Sequence, residues 1–487
     1  MITWGVSANS HNAAVAVFSD DRLVFATETE RWSKNKNDPH LDKHLNTYLF
    51  DRNLIPDKVI WYERPLLKSL RQATAGQWNS IFENNIRSYI SKAVFSTDLE
   101  YAGHHESHAA AGYYTSKFDN ACVVVIDAIG EFDTLTIWKA EGTKLKKVYS
   151  QRYPHSVGLW YSAMTQRIGL KPNEEEYILM GMSAYGDPNR LAPQIARDFI
   201  KDFKNFTFTQ NLHRGCKDWA PELGPDDIFD IAAGTQQVYE QVFSHILKFA
   251  KKLVPSNNLV LMGGCALNCA ANGIAYNYFK NLWIMPAPGD SGSAIGAVLS
   301  KQQKHINWQG PFLGYDMGTR NSNASIVQHL LVHKMCGVAR GPAEFGPRAL
   351  GNRSLIADPR DKDIKEQVNE IKQRQKFRPF APAILADVVH DYFDMPGGSL
   401  SPYMQVVARC RNPELFPAII HADGTSRVQT VGPEDNLEFY NLLQQWYKET
   451  GCPMLLNTSL NVRGKPMVNN HIDAQLWQDT YKVKVFN

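Results

Sequence analysis

Gly103-His104-His105-Glu106-Ser107-His108 sets two histidines four residues apart. On a helix, positions i and i+4 share a face, so His104 and His108 can chelate one divalent ion through two imidazoles. Two helix histidines satisfied by ordinary hydrogen bonds would show the same spacing. Candidate carboxylates shift the balance. Asp127 and Asp290 are each expected to end a strand beside a glycine loop, where two lobes would face each other. Two His with one or two Asp form a mixed nitrogen and oxygen set suited to iron, manganese or zinc.

The glycine loops suggest what such an ion would serve. Ala121–Asp127 is apolar and strand-like, and Ala128-Ile129-Gly130-Glu131-Phe132-Asp133 follows it. Leu259–Met262 runs into Gly263-Gly264-Cys265-Ala266-Leu267-Asn268. Pro288-Gly289-Asp290-Ser291-Gly292-Ser293 opens the helical stretch Ala294–Leu299. Glycines of this kind let backbone N–H groups approach an anion at a helix N-terminus, although each loop alone is also explained as a plain turn. A metal candidate beside them suggests metal-assisted handling of a nucleotide. No G-x-x-x-x-G-K-[ST] loop occurs, and no G-x-G-x-x-G follows the first strand, so P-loop and Rossmann chemistry are excluded.

The last third concentrates cations and amides. Gly346-Pro347-Arg348-Ala349-Leu350-Gly351-Asn352-Arg353-Ser354 is followed by Lys372, Arg374, Lys376 and Arg378. Asp423-Gly424-Thr425-Ser426-Arg427 and Asn457-Thr458-Ser459-Leu460-Asn461 come later. Arginine forks recognise planar oxyanions in bidentate fashion. A solvated basic face is the alternative for the 372–378 run; Arg348 and Arg427, flanked by small and apolar residues, fit it less well.

These groups need positioning elements. Ile2–Ser7, Ala13–Phe18 and a strand opening at Arg22, with a turn at Ser19-Asp20-Asp21, form a β-meander. A second meander is expected from Ala121 to Tyr149, so the first part of the chain has the pattern of a duplication. Gly and Pro near Asn307–Pro311 mark a boundary. Residues 1–310 are therefore assigned to one domain and 311–487 to a further α+β domain. A chain of 487 residues suits two or three domains. Its 44% hydrophobic and 21% charged content excludes a disordered, collagenous or disulfide-scaffold chain. The formal charge of +3 permits an anionic substrate without demanding one. Cys265 and Cys269 lack the second pair of a zinc knuckle and read as reduced, buried thiols. No apolar run suits a membrane span and Met1–Gly5 does not resemble a signal peptide. A cytoplasmic protein is expected, in the host cytoplasm if it is viral.

The sequence resembles the NodU/CmcH family of O-carbamoyltransferases. The first third carries Ser10-His11-Asn12-Ala13-Ala14, Glu28-Thr29-Glu30-Arg31-Trp32 and His104-His105-Glu106-Ser107-His108-Ala109-Ala110. The middle carries Asp127–Glu131, Pro154–Gly158, Lys171–Glu174, Gly263–Asn268 and Gly289–Gly292. The last third carries Glu344–Ser354, Phe377–Pro382, Asp423–Gln429 and Asn457–Ser459. The resemblance implies an α/β fold: a duplicated actin-like (ASKHA) N-terminal domain similar to the tRNA threonylcarbamoyl-transfer enzymes, and an α+β YrdC-like C-terminal domain. It implies that carbamoyl phosphate and ATP, the latter with Mg, are consumed through a carbamoyl adenylate to carbamoylate an acceptor alcohol. By resemblance, Arg348, Lys372, Arg427, Asn457 and Ser459 handle carbamoyl phosphate or the adenylate. Gly130, Glu131, Gly263, Gly264 and Asn268 stand at the nucleotide. His104, His108 and Asp290 hold the metal with Asp127 as a fourth ligand, and iron is favoured. His11 is the candidate general base for the acceptor hydroxyl. Asn12 stands where the family usually has aspartate after this histidine, Trp32 replaces a phenylalanine, and the chain is shorter than typical antibiotic-tailoring members.

Two readings of other classes remain. An actin-like ATPase or sugar kinase would leave the histidine pair and the Arg/Asn/Ser set without a role. A non-catalytic binding module would leave all of them so. The acceptor is open among an antibiotic, sugar or toxin hydroxyl and 5-hydroxymethylcytosine in viral DNA. The sequence leans to DNA because cations interleave with aromatics, which suits phosphate contacts and base stacking. Arg64, Lys68 and Arg71 lie with Trp61 and Trp78; Lys201, Lys204, His213, Arg214 and Lys217 lie with Phe203 and Trp219. A solvated face over ordinary core aromatics is the alternative.

Overall fold

The computed structural model of the protein describes residues 1–94 and 98–487. The chain forms two compact units, Met1–Ser33 with Asn37–Trp308, and Lys34–Lys36 with Gln309–Asn487.

In the first unit β1 (Ile2–Ser7), β2 (Ala14–Ser19) and β3 (Arg22–Glu28) form the expected antiparallel meander. Asp20 takes φ +52° in the β2–β3 turn, where a positive φ matches the twist of the flanking strands. The chain continues through β4 (Lys58–Trp61), α1 (Pro65–Thr74), β5 (Leu99–Tyr101) and α2 (His104–Thr115). The sheet order is β3-β2-β1-β4-β5, with β4 and β5 parallel to β1.

The pattern then repeats. β6 (Asn120–Gly130), β7 (Asp133–Glu141) and β8 (Lys144–Arg152) form a second antiparallel meander. After α3 (Ile228–Leu253), β9 (Asn258–Met262) and β10 (Asn281–Trp283) add in parallel, giving the order β8-β7-β6-β9-β10. α4 (Ser293–Gln302) follows β10 as α2 follows β5. Equal order, equal strand sense and an equivalent closing helix make the unit a duplicated, actin-like α/β fold. The central strands are buried on both faces, which explains their unbroken apolar runs.

Two expected strand ends differ. β6 runs on to Gly130, but its ladder with β7 shifts register between Ile126 and Gly130, so Asp127 sits at the irregular end. Asp290 ends no strand. β10 stops at Trp283, since Pro286 and Pro288 cannot donate to a ladder, and Asp290–Gly292 is a short 3-10 turn entering α4. The glycine loop after β9 forms a 3-10 turn, Gly264–Leu267, and a single helical turn, Cys269–Asn272. All seven cysteines are free; six are buried and Cys265 is half-buried.

The second unit is α+β. α5 (Asn323–His333), β11 (Met335–Ala339), β12 (Arg353–Ala357), α6 (Ile364–Lys372) and β13 (Ala381–Leu385) lead to β14 (Gln429–Val431), α7 (Leu437–Thr450), β15 (Met454–Ser459) and β16 (Val485–Phe486). The mixed sheet has the order β14-β13-β15-β12-β11-β16. Its core joins Ile326 and Leu330 of α5 to Phe439, Leu442, Leu443 and Trp446 of α7. The Trp446 indole N–H donates to the Met454 carbonyl at 3.1 Å, so the buried donor is satisfied. Among the described residues no helix is long and apolar enough to cross a membrane.

α2 and α4 pack together, and glycine sets how closely. A Cβ on Gly296 would lie 1.8 Å from the Ser107 carbonyl oxygen. Gly296→Ala is expected to cost about 1–3 kcal/mol, read from denaturant unfolding. Gly181→Ala, whose Cβ meets open space, is expected to leave stability unchanged or slightly raised.

Candidate active site

α2 begins at His104, with the Gly103 N–H donating to Glu106 Oε2 at 3.2 Å. His104 and His108 are one turn apart and fully buried. Their Nε2 atoms are 3.2 Å from each other. Asp127 Oδ2 lies 3.2 Å from His104 Nε2 and 3.9 Å from His108 Nε2. Asp290 Oδ1 lies 3.4 Å and 3.3 Å from the same two atoms. One donor atom from each of the four residues falls within 4.8 Å of all the others. Atoms bound to one centre at about 2.1 Å would have separations of this order. Helix, irregular strand end and helix-entry turn thus converge, and the four sequence candidates meet.

The electrostatics fit a cation. Burial disfavours the Asp290 carboxylate, yet His104 and His108 hold its pKa well below the ordinary value. Asp127 is likewise lowered to about 2, against burial, chiefly by His104. Burial disfavours a charged His104, but Asp290, Asp127 and Glu63 together raise it well above the usual histidine value. The buried Asp127 and the half-buried Asp290 at this separation need positive charge between them, and a divalent ion on this donor set would supply it.

Neighbours support the cluster. Glu63 Oε2 stands 3.6 Å from His104 Nδ1, and Glu63 Oε1 accepts from Lys68 Nζ at 2.6 Å. The Gly264 N–H donates to Asp127 Oδ1 at 3.1 Å. Gly130 is required by space, since a Cβ there would lie 2.2 Å from His104 Cδ2. Gly263 has φ +90° and touches the Ile126 carbonyl. Glu131, expected at the nucleotide, spends its carboxylate on Arg64, whose Nη2 is 2.7 Å away. Asn268 exchanges two hydrogen bonds with Gln236, at 3.0 and 3.1 Å. His11 is half-buried in the β1–β2 loop and its Nε2 has no hydrogen-bond partner.

In the second unit, the buried Lys372 ends α6 and its Nζ donates to the Ser459 carbonyl at 2.5 Å, Ser459 Oγ at 3.0 Å and Asn461 Oδ1 at 2.5 Å. Burial pushes its pKa well below the usual lysine value, aided by Arg374 and Arg378. Asn457, on the same face of β15 as Ser459, donates to Gln429 Oε1 at 2.6 Å and the Ala349 carbonyl at 3.1 Å. That bond ties it to the segment carrying Arg348. Glu344 Oε1 shapes the segment by accepting from the N–H groups of Leu350, Asn352 and Arg353. Arg427 ends the short strand Thr425–Arg427 half-buried, its Nε without a partner. Spacing did not single out Glu63, which joins the site through Lys68 and His104; Gln429 and Asn461 lie in the motifs named above but had no assigned role.

The first basic stretch is not the expected face. Trp61, Lys68 and Arg71 are buried. Lys68 is paired with Glu63, Arg64 with Glu131, and Arg71 Nη1 donates to Gln77 Oε1 at 2.6 Å. Lys68 and Arg71 serve an internal carboxylate and an amide, while Arg64, paired with Glu131, keeps an exposed side chain. In the second stretch Lys201, Lys204, Arg214 and Lys217 are exposed, while the Trp219 indole N–H is held by Asp198 at 3.0 Å.

The model for the carbamoyltransferase N-terminus matches residues 53–299, and that for the carbamoyltransferase C-terminus matches residues 327–486. The chain belongs to the carbamoyltransferase family. It is 33% identical to nodulation protein U of Sinorhizobium fredii, over 96% of this chain and 95% of that protein. It is 26% identical to the 3′-hydroxymethylcephem-O-carbamoyltransferase of Amycolatopsis lactamdurans, over 96% and 94%. An uncharacterised Synechocystis protein, sll1178, is 33% identical over 96% and 93%. Among solved structures, full-length HypF in its phosphate- and nucleotide-bound form is similar at 12% identity and a TM-score of 0.34, covering 62% of this chain and 46% of that one. Every candidate above lies within the two carbamoyltransferase segments except His11.

Glu63 reaches His104 at the nitrogen turned away from the cluster. Glu63→Gln is expected to weaken divalent-metal affinity by roughly 10- to 100-fold, measured by chelator competition on the purified protein.

Proposed function

We propose that the protein is an ATP-dependent O-carbamoyltransferase that uses carbamoyl phosphate and acts through a carbamoyl adenylate. The observation that carries this reading is the four-residue donor cluster in the first carbamoyltransferase segment, together with the Lys372, Ser459 and Asn457 set in the second. The second unit, read as YrdC-like, would convert carbamoyl phosphate and water to carbamate and phosphate, then carbamate and ATP to carbamoyl adenylate and pyrophosphate. Lys372 and the arginine forks Arg348 and Arg427 present cations to the phosphate oxygens. Asn457 offers the amide that can orient a carbamoyl group.

In the first unit, His104, His108, Asp127 and Asp290 would hold one divalent metal, with iron favoured and manganese or zinc also suited to the donors. Such an ion supplies Lewis-acid polarisation and countercharge. Gly264 orients Asp127, and Glu63 faces His104 Nδ1 at 3.6 Å. His11, with an unpartnered Nε2, takes the proton of the acceptor hydroxyl as its oxygen bonds to the carbamoyl carbon and AMP departs. The acceptor class best supported is a small-molecule hydroxyl, as the printed name of the cephem enzyme specifies for that relative. Burial of Lys68, Arg71 and Trp61 takes three residues of the first basic stretch away from a 5-hydroxymethylcytosine DNA surface.

Incubation with carbamoyl phosphate and MgATP is expected to release phosphate and pyrophosphate, and AMP once an acceptor is present. Formation of ADP instead of pyrophosphate would identify a kinase-type reaction and overturn the reading. His108→Ala is expected to abolish transfer while the circular dichroism spectrum is kept; full metal content and turnover in that variant would reject the metal assignment.

Lys372→Met is expected to slow phosphate release by roughly 10²–10³-fold. It also gives a pH signature. A lysine with a lowered folded pKa burdens the native state fully below that pKa, and the burden fades as pH rises towards the ordinary lysine value. The stability of the parent relative to Lys372→Met is therefore expected to improve with rising pH, measured by unfolding at a series of pH values.

A further inference from the structure

Tyr62 directly follows β4, so it emerges at the carboxyl end of the first sheet. Its N–H donates to the Val6 carbonyl at 3.1 Å. Its carbonyl accepts from Ser107 Oγ at 3.0 Å, and Ser107 lies between the two histidines on α2. The backbone at Tyr62 is thus pinned to the helix that carries both imidazoles. The ring sits 5.1 Å from the His104 ring, inclined at 51°. Tyr62 is 0% exposed.

Its phenol oxygen is buried and makes no hydrogen bond. Ser10, on the β1–β2 loop, comes near it without hydrogen-bond geometry. The ring stands against an imidazole of the four-donor cluster and not in apolar core alone. A buried tyrosine hydroxyl usually finds a partner, because leaving it unmade is costly. The adjoining chain shares the condition. Ser7 Oγ, His11 Nε2 and Asn12 Oδ1 are also buried without partners. Val6 pairs with Trp61 in the sheet, so Ser7 and Tyr62 leave neighbouring strands side by side. Ser7, His11 and Asn12 thus belong to the end of β1 and the loop that follows it, beside the strand that delivers Tyr62.

We propose that Tyr62 is a further catalytic residue of this centre, its phenol donating a hydrogen bond to the carbonyl oxygen of the carbamoyl group during transfer. The inference rests on reading the centre as the transfer site. In the step, the acceptor oxygen bonds to the carbamoyl carbon and its proton passes to His11. The bond from that carbon to the phosphate oxygen breaks, and its electron pair leaves with AMP. Negative charge grows on the carbonyl oxygen as the new bond forms. A fixed donor aimed at that oxygen stabilises the transition state more than the ground state. The phenol keeps its proton throughout.

The test is Tyr62→Phe, which removes one oxygen and preserves the ring. Three measurements are made on the full chain: thermal unfolding without ligand, binding of the stable adenylate analogue 5′-O-(N-carbamoylsulfamoyl)adenosine, and steady-state transfer. The unfolding midpoint is expected to stay level or rise, since an unpaired buried hydroxyl is lost. Analogue affinity is expected to fall roughly threefold to tenfold. The kcat is expected to fall roughly 10²–10³-fold with the acceptor KM unchanged. A midpoint lowered by several degrees would show a structural partner for the phenol and overturn the proposal. So would parent-like analogue affinity together with parent-like kcat. A parent protein that neither binds the analogue nor transfers would overturn the carbamoyl-transfer reading itself, and this inference with it.

Discussion

Two carboxylates, Asp127 and Asp290, are held in one largely buried cluster with two imidazoles, and the first unit is organised around that constraint. Like charges so close cannot both persist in a low-dielectric interior without positive charge between them. The fold brings that charge from α2, through histidines on the face turned to the carboxylates. It then stiffens the arrangement from outside. Glu63 stands at the far nitrogen of His104, Lys68 balances Glu63, and the Gly264 N–H takes one oxygen of Asp127. The surrounding residues are small where they must be: Gly130 leaves room for the His104 ring, and Gly296 lets α4 approach α2.

The duplication explains why such a cluster can form. Each half ends its five-strand sheet with a helix, and the two helices pack on one another. One helix carries the histidines, and the turn entering the other carries Asp290. The third piece, Asp127, comes from the end of the central strand of the second half, where the ladder loses register. An irregular strand end is a natural place for a functional side chain, since the surrounding pairing already holds the backbone. The second unit gathers its polar set differently. Its mixed sheet lays Asn457 and Ser459 on one face of β15, and the end of α6 delivers Lys372 to them. Lys372 is there at an electrostatic cost, with burial and two arginines acting against its charge.

Much of this was legible in the sequence. Local spacing determined the His104/His108 pair, because the helical period alone puts i and i+4 on one face. Alternation and turn residues determined both meanders, and the long-range order of the motifs identified the carbamoyltransferase family. Short strands escaped, because β4, β5 and β10, with four, three and three residues, carry too little pattern to stand out from loops. The strand expected to end at Asp290 was misplaced, because two prolines dissolve it into a turn.

The tertiary structure alone decided what the charges are for. Arg64, Lys68 and Arg71 look in sequence like one basic face, yet each is claimed by an internal acceptor: Glu131, Glu63 and Gln77. Composition counts cations but cannot say which of them face water: Lys68 and Arg71 are buried, while Arg64, paired with Glu131, 67 residues away, stays exposed. The same holds for Tyr62 and Glu63, single residues with no motif of their own. They acquire a role only when folding brings distant backbone and side chains to hydrogen-bond distance, a geometric condition that no local spacing encodes.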